Sequence, residues 1–238
     1  MSDVAVELAP SPPTGLMGWL RFDQSRVPEV EAAYDAFIRS ARPGVIAGVA
    51  LLALLVAPLA GVAIFYIGLL VAILRCPADV RETIIVGCVD VKRACTFAAL
   101  VAIVIAILEA LVALAVTPRY GGIPRIPAIW YSFSLVWIAA AVFLAPVAEE
   151  LFVQGWFQSR VRNLGGAGSA LLATVFFVAI HFPKTPYDFI RAGNLGFAGY
   201  LRSTTRSLGA CIVAHACNNA VAFIVFPIVL RLARHAVP

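Results

Sequence analysis

The sequence predicts an all-α fold, a polytopic transmembrane helical bundle of about six or seven membrane segments. Three observations predict it. Only 13% of the 238 residues are charged and 62% are hydrophobic, whereas ordinary globular domains carry about 25% charge. Uncharged runs long enough to cross a bilayer as helices recur along the chain. Within those runs apolar and polar residues do not alternate, as the strands of a membrane barrel would require.

Residues 1–43 read as an N-terminal tail and residues 44–238 as the transmembrane domain. Ser11-Pro12-Pro13 breaks the tail, and no apolar core follows Met1, so no signal peptide is expected. From Val27 to Ile38 the residues Val30, Ala33, Tyr34, Phe37 and Ile38 recur at helical spacing. They predict a short amphipathic helix, lying on the membrane surface or docked on the bundle. Residues 44–74 carry no charge. As one helix they would extend about 46 Å, more than the roughly 30 Å hydrocarbon core. Pro58 and Gly61 either break this run into a hairpin, or one long tilted helix runs through. A polar stretch follows at 75–93, with a small apolar patch at 83–89 suited to the interface. The later segments are expected at 95–116, 128–154, 168–182, a less apolar 188–201, and 208–230. Tyr120-Gly121-Gly122-Ile123-Pro124, Leu164-Gly165-Gly166 and Pro183 to Pro186 punctuate them.

The basic residues lie in the gaps between apolar runs. They therefore read as topology signals, and nucleic acid is not expected as a partner. If the first run is a hairpin, Arg21, Arg26, Arg39, Arg42, Arg75, Arg81, Lys92, Arg93, Arg160, Arg162, Arg202 and Arg206 share one side, out of 18 Lys and Arg in all. That side is then cytoplasmic, in a multi-pass cell-membrane protein, the cytoplasmic membrane if the source is bacterial. The five cysteines form no C-x-x-C pair and read as small apolar fillers.

Against this background a few polar residues stand out. Glu149 and Glu150 are adjacent at the end of an apolar run. Successive helical residues diverge by about 100°, so the two acids face different neighbours. Gln154 lies one turn beyond Glu150, close enough to hydrogen-bond it directly or through water. His181 closes the run Phe177-Val-Ala-Ile-His181, and His215 shares a helix face with Asn219. Acids and imidazoles are costly in a bilayer, so they must pair, meet water or do chemistry. A carboxylate, two imidazoles and a carboxamide can deprotonate a water and stabilise an oxyanion, or hold a divalent metal. These groups are expected to line one water-reachable cavity open toward Arg160 and Arg162. Glu109, isolated at Ile107-Leu108-Glu109-Ala110-Leu111, reads as a substrate or proton contact or as a partner for Arg191 or another polar group of the bundle.

The motifs E-E-x-x-x-R, F-x-x-x-H and H-x-x-x-N, in this order on successive membrane helices, are those of the CPBP family. That family groups CAAX prenyl endopeptidases with bacteriocin-processing and immunity proteins. Glu149-Glu150, Phe177/His181 and Asn219 with His215 resemble the three motifs, over about 129–228. The resemblance implies an intramembrane endopeptidase acting on a peptide or protein substrate within or at the bilayer. Glu149 or Glu150, with His181, would activate water; His215 and Asn219 would stabilise the oxyanion. The family's arginine is Gln154 here, which keeps the hydrogen-bonding ability and loses the charge. The cofactor is left open. A zinc, if bound, would be held by His181, His215 and Glu150, but the residues are read as sufficient without a tightly held metal, and no His-Glu-x-x-His helix is present. Two rival readings are a non-catalytic immunity or scaffold protein of the same fold and a proton-coupled transporter. The absence of an internal repeat speaks against the transporter.

Overall fold

In a computed structural model, described here for residues 15–40, 75–116, 119–120, 123–124, 135–181 and 196–228, the chain is an all-α membrane bundle. Among the described residues four helical stretches are long and apolar enough to cross a bilayer: Val91–Val112, Leu135–Arg160, Arg162–Ile180 and Leu208–Ile228. In chain order the helices are α1 (Gly15–Trp19), α2 (Val27–Ser40), α3 (Ala78–Val86), α4 (Val91–Val116), α5 (Leu135–Arg160), α6 (Gly165–Ile180), α7 (Gly196–Thr205) and α8 (Leu208–Ile228). A two-residue antiparallel ladder, Arg119–Tyr120 with Ile123–Pro124, links α4 toward α5. The run 44–74, with its choice of hairpin or single span, lies outside the described residues. Of the segment expected at 188–201, the described part belongs to α7. Its ten residues are about 15 Å long, half a bilayer core.

α4 is regular from end to end. Ala94, Ala98, Ala102 and Ala106 recur every four residues along one buried face. Ala94, Ala98 and Ala102 pack in one cluster with Ala210, Cys211 and Ala214 of α8 and Ala198 and Leu201 of α7. Small side chains let helix backbones approach where lipid offers no hydrophobic drive to pack. The opposite face exposes Leu100, Val104, Leu108 and Leu111, which suits contact with lipid chains.

α5 is irregular. Two π-helical stretches, Ala140–Leu144 and Leu151–Phe157, flank a regular turn, Ala145–Glu150. Pro146 has no amide hydrogen, so the ordinary bond back to residue 142 cannot form, which favours a widened turn before it. In the second stretch Gly155 lets two neighbours close in. A Cβ there would stand 3.2 Å from the Phe37 ring and 3.5 Å from Leu208.

The basic end of the bundle is capped by α2 and α3. The apolar face of α2 buries Val30, Ala33, Tyr34 and Phe37 in a cluster with Ile84, Cys88, Leu151 and Leu208. Of the two placements open from its sequence, α2 takes the docked one. Tyr34 Oη reaches the carbonyls of Arg206, at 3.0 Å, and Ile84, at 3.2 Å. It thereby ties α3 to the α7–α8 turn. That turn is sharp because Arg206 adopts φ 56°. Ser207 caps α8, accepting from the Ala210 amide at 3.2 Å and donating to the Ile85 carbonyl at 2.7 Å. Gly87 ends α3 at φ 71°, and a Cβ there would sit 2.5 Å from the Ser207 nitrogen, so only glycine fits.

Candidate active site

The regular turn between the two π stretches of α5 points Glu149 and Glu150 to different neighbours. Glu150 is fully buried, and its Oε1 lies 2.8 Å from His215 Nδ1 of α8. Glu149 Oε2 lies between two ring nitrogens, 3.7 Å from His215 Nε2 and 3.8 Å from His181 Nε2. Both distances exceed a direct hydrogen bond and leave a gap that a hydroxyl-sized atom bridges.

His181 sits at the C-terminus of α6, where the helix ends before Pro183. Its Nδ1 lies 2.9 Å from the Phe177 carbonyl. A carbonyl can only accept, so Nδ1 carries the hydrogen and Nε2 of the neutral ring presents a lone pair toward Glu149. The ring stacks on Phe177 at 4.2 Å, and Phe177 meets the His215 ring edge-on at 5.9 Å. The buried Phe177 thus fixes both imidazoles. His181 is the accessible member of the group, its side chain 42% exposed, whereas His215 is buried. The group is therefore open to the outside of the bundle on the His181 side.

Glu149, Glu150, His181 and His215 come together, and Asn219, one turn beyond His215 on α8, is anchored to α5. Asn219 Nδ2 donates to the Ala141 carbonyl at 2.8 Å, a group in the first π stretch of α5. Its neighbour Asn218, not singled out from sequence, lines a cavity with His215, Ala102, Ile105, Phe197, Ala198 and Ala214, between α4, α7 and α8. Of the five residues expected in one cavity, this one includes His215 alone, and its walls are otherwise apolar apart from Asn218. The adjacent amides at 218–219 were the available signal; helical phase alone did not say which one lines the cavity. Of the two contacts expected between Gln154 and Glu150, direct or through water, the direct one is not made. Gln154 is fully buried, and neither its Oε1 nor its Nε2 has a hydrogen-bond partner. Suggested as a partner of Glu109, Arg191 lies outside the described residues.

Arg202 corrects another reading. From sequence it is a loop charge that reports topology. In the structure it is 5% exposed, its guanidinium stacked 3.4 Å from the Tyr34 ring centre. Its Nη2 donates to Ser159 Oγ at 3.1 Å. Nothing in the local pattern of α7 distinguishes such an arginine from an exposed one.

The zinc ligand set inferred by resemblance does not fit this geometry. Glu150 faces Nδ1 of His215, while His181 approaches Glu149 and the other side of the His215 ring. Among the described residues no group of three His, Cys, Asp or Glu side chains is placed to hold a metal ion.

Comparison with known families places this region. Residues 131–221 match the family model described as type II CAAX prenyl endopeptidase Rce1-like. The match spans α5, α6, α7 and most of α8, including Glu149, Glu150, His181, His215 and Asn219. No curated protein and no solved structure matched the chain.

Proposed function

We propose that the protein is an intramembrane endopeptidase. It hydrolyses peptide bonds of a membrane-associated protein or peptide substrate with a water activated by Glu149 and His181. One observation carries this reading. Glu149 Oε2 stands between the Nε2 atoms of two histidines, at 3.7 and 3.8 Å, and His181 has its tautomer set by the Phe177 carbonyl.

A water in that gap donates to Glu149 and to the Nε2 lone pair of His181. Removing one of its protons yields the nucleophile. Attack on the substrate carbonyl places negative charge on its oxygen. His215 is suited to meet that charge. Glu150 on Nδ1 stabilises the protonated ring, whose Nε2–H then becomes a donor. Asn219 uses one amide hydrogen on the Ala141 carbonyl and keeps a second for the oxyanion. Glu149 and His181 return the proton to the leaving nitrogen as the C–N bond breaks.

The test is cleavage of a diverse peptide library by the purified protein in detergent, with product termini read by mass spectrometry. New termini should appear with the wild type and be absent with Glu149→Ala. A protein that cuts nothing under any condition, or a Glu149→Ala variant that cuts alike, replaces this reading with the scaffold one.

A further inference from the structure

Hydrolysis consumes one water per peptide bond: a hydroxyl goes to the carbonyl carbon and a hydrogen to the nitrogen. Glu150 lies about ten residues, or roughly 15 Å of helix, from Arg160 at the basic end. The structure places an unusual row of atoms along that path. Among the described residues seven buried side-chain nitrogens and oxygens lack a hydrogen-bond partner: Glu31 Oε2, Glu150 Oε2, both amide atoms of Gln154, Trp156 Nε1, Gln158 Oε1 and Arg202 Nε. All but the Trp156 atom belong to one strip. Glu150, Gln154 and Gln158 occupy successive turns of α5, each buried. Gln158 Nε2 donates to the Gly199 carbonyl of α7 at 3.1 Å, and Arg202, one turn along α7, donates to Ser159. Arg202 stacks on Tyr34 of α2. Glu31, one turn before Tyr34, binds Arg206 at 2.9 Å at the basic surface.

Buried polar atoms in native proteins are almost always paired, by protein or by ordered water. Isolated orphans need individual explanations; Glu31 Oε2 faces Arg162 Nη1 at 3.6 Å, and the other five atoms of the strip need a shared explanation. The strip also alternates in kind. Carboxylate and amide oxygens accept, while Gln154 Nε2 and Arg202 Nε donate, which gives each bridging water the two or more partners it requires. Cys211 of α8 is fully buried, one turn before the His215 that binds Glu150, and its Sγ donates to the Ala198 carbonyl, one turn before Arg202, at 3.3 Å, so it flanks the strip.

We infer that Glu150, Gln154, Gln158 and Arg202 hold a file of internal waters that connects the basic face of the bundle to the Glu150 side of the site. Its presence is independent of the proteolytic reading; its role in supplying water for hydrolysis rests on that reading. Gln154 and Gln158 are positioning residues here, since they hold water and touch no reacting atom.

Microsecond X-ray radiolysis of the full chain in lipid nanodiscs tests the file without any activity assay. Hydroxyl radicals formed from bound water oxidise reactive side chains beside it, and the buried thiol of Cys211 on the flank of the strip is the reporter. Cys211 should be oxidised in the wild type at least about fivefold more than the equally buried Cys76, which lies away from the strip. Gln154→Leu with Gln158→Leu should bring Cys211 down to the Cys76 level. Wild-type Cys211 no more oxidised than Cys76 overturns the inference, even if the double variant fails to fold. Equal oxidation of Cys211 in wild type and folded double variant overturns it as well. If the wild type is oxidised as expected but cuts no peptide, the file stands and the protease reading falls.

Discussion

Helices α4 and α5 are both long, apolar and embedded, yet they are built to opposite ends. α4 keeps one helical geometry throughout and buries an alanine every fourth residue against α7 and α8. α5 leaves regular geometry twice, on either side of Glu149 and Glu150, and buries Glu150, Gln154 and Gln158. The first arrangement maximises close packing. The second spends packing regularity to aim acids at two histidines and to admit polar atoms to the interior. Stability should therefore answer chiefly to α4 and the basic-end cap, and chemistry to α5 and what faces it.

The largest expected effect breaks the α5 side. Glu150 and His215 touch at 2.8 Å and act as one unit in the proposed mechanism. Glu150→Ala and His215→Ala should each lower kcat by about 10²–10⁴-fold, and the double variant should be little worse than the poorer single one. Additive losses in single-turnover rates would mean that the pair does not act as a unit.

Asn219 sharpens the comparison, because its amide joins α8 to the irregular part of α5. Asn219→Ala should lower kcat by roughly 10²-fold if its second hydrogen meets the oxyanion. It should also cost about 1–3 kcal/mol of stability by orphaning the Ala141 carbonyl. A thermal-shift loss with kcat unchanged would reduce Asn219 to a clamp on the widened turn.

On the α4 side, Ala98→Leu forces three extra carbons into the contact with α8. It should cost about 1–3 kcal/mol of stability while kcat per folded molecule holds. A variant of wild-type melting temperature would show that the alanine face is not closely packed.

The basic-end cap gives the smallest effect. Arg162 binds Asp35 at 2.8 Å and holds its carboxyl below the ordinary value of 3.8. Because the folded-state value is depressed, the contribution is present above pH 3.8 and is lost as pH falls through the lowered value. Both side chains are well exposed, so Arg162→Ala should cost no more than about 1 kcal/mol near neutral pH. The cost should disappear in the most acid melts. A larger loss would show that α2 docks through this ion pair more than through Tyr34 and Phe37.

The comparison also explains what could be read from the sequence. Segment positions were legible because uncharged length is a one-dimensional property, and α4, α5, α6 and α8 follow from it. The pairing of acids with histidines was legible as chemistry, since each residue is expensive in a bilayer. Which partner each atom takes was not. That Glu150 faces Nδ1 of His215 while Glu149 meets both Nε2 atoms depends on the π turns around Pro146 and Gly155, which shift helical phase. The burial of Arg202 depends on Tyr34, far away in the chain. Asn218 and Asn219 differ only by 100° of rotation, and the contact with the Ala141 carbonyl decides between them.

The central claim is that Glu149, held between two imidazoles, is the base that activates water. The most direct measurement is kcat for one library-derived peptide with wild type, Glu149→Gln and His181→Ala, alongside the melting temperature of each. The account predicts that both variants lose on the order of 10²–10⁴-fold in kcat, with melting temperatures near that of the wild type. Rates within about twofold of wild type for Glu149→Gln, in a folded protein, would contradict it.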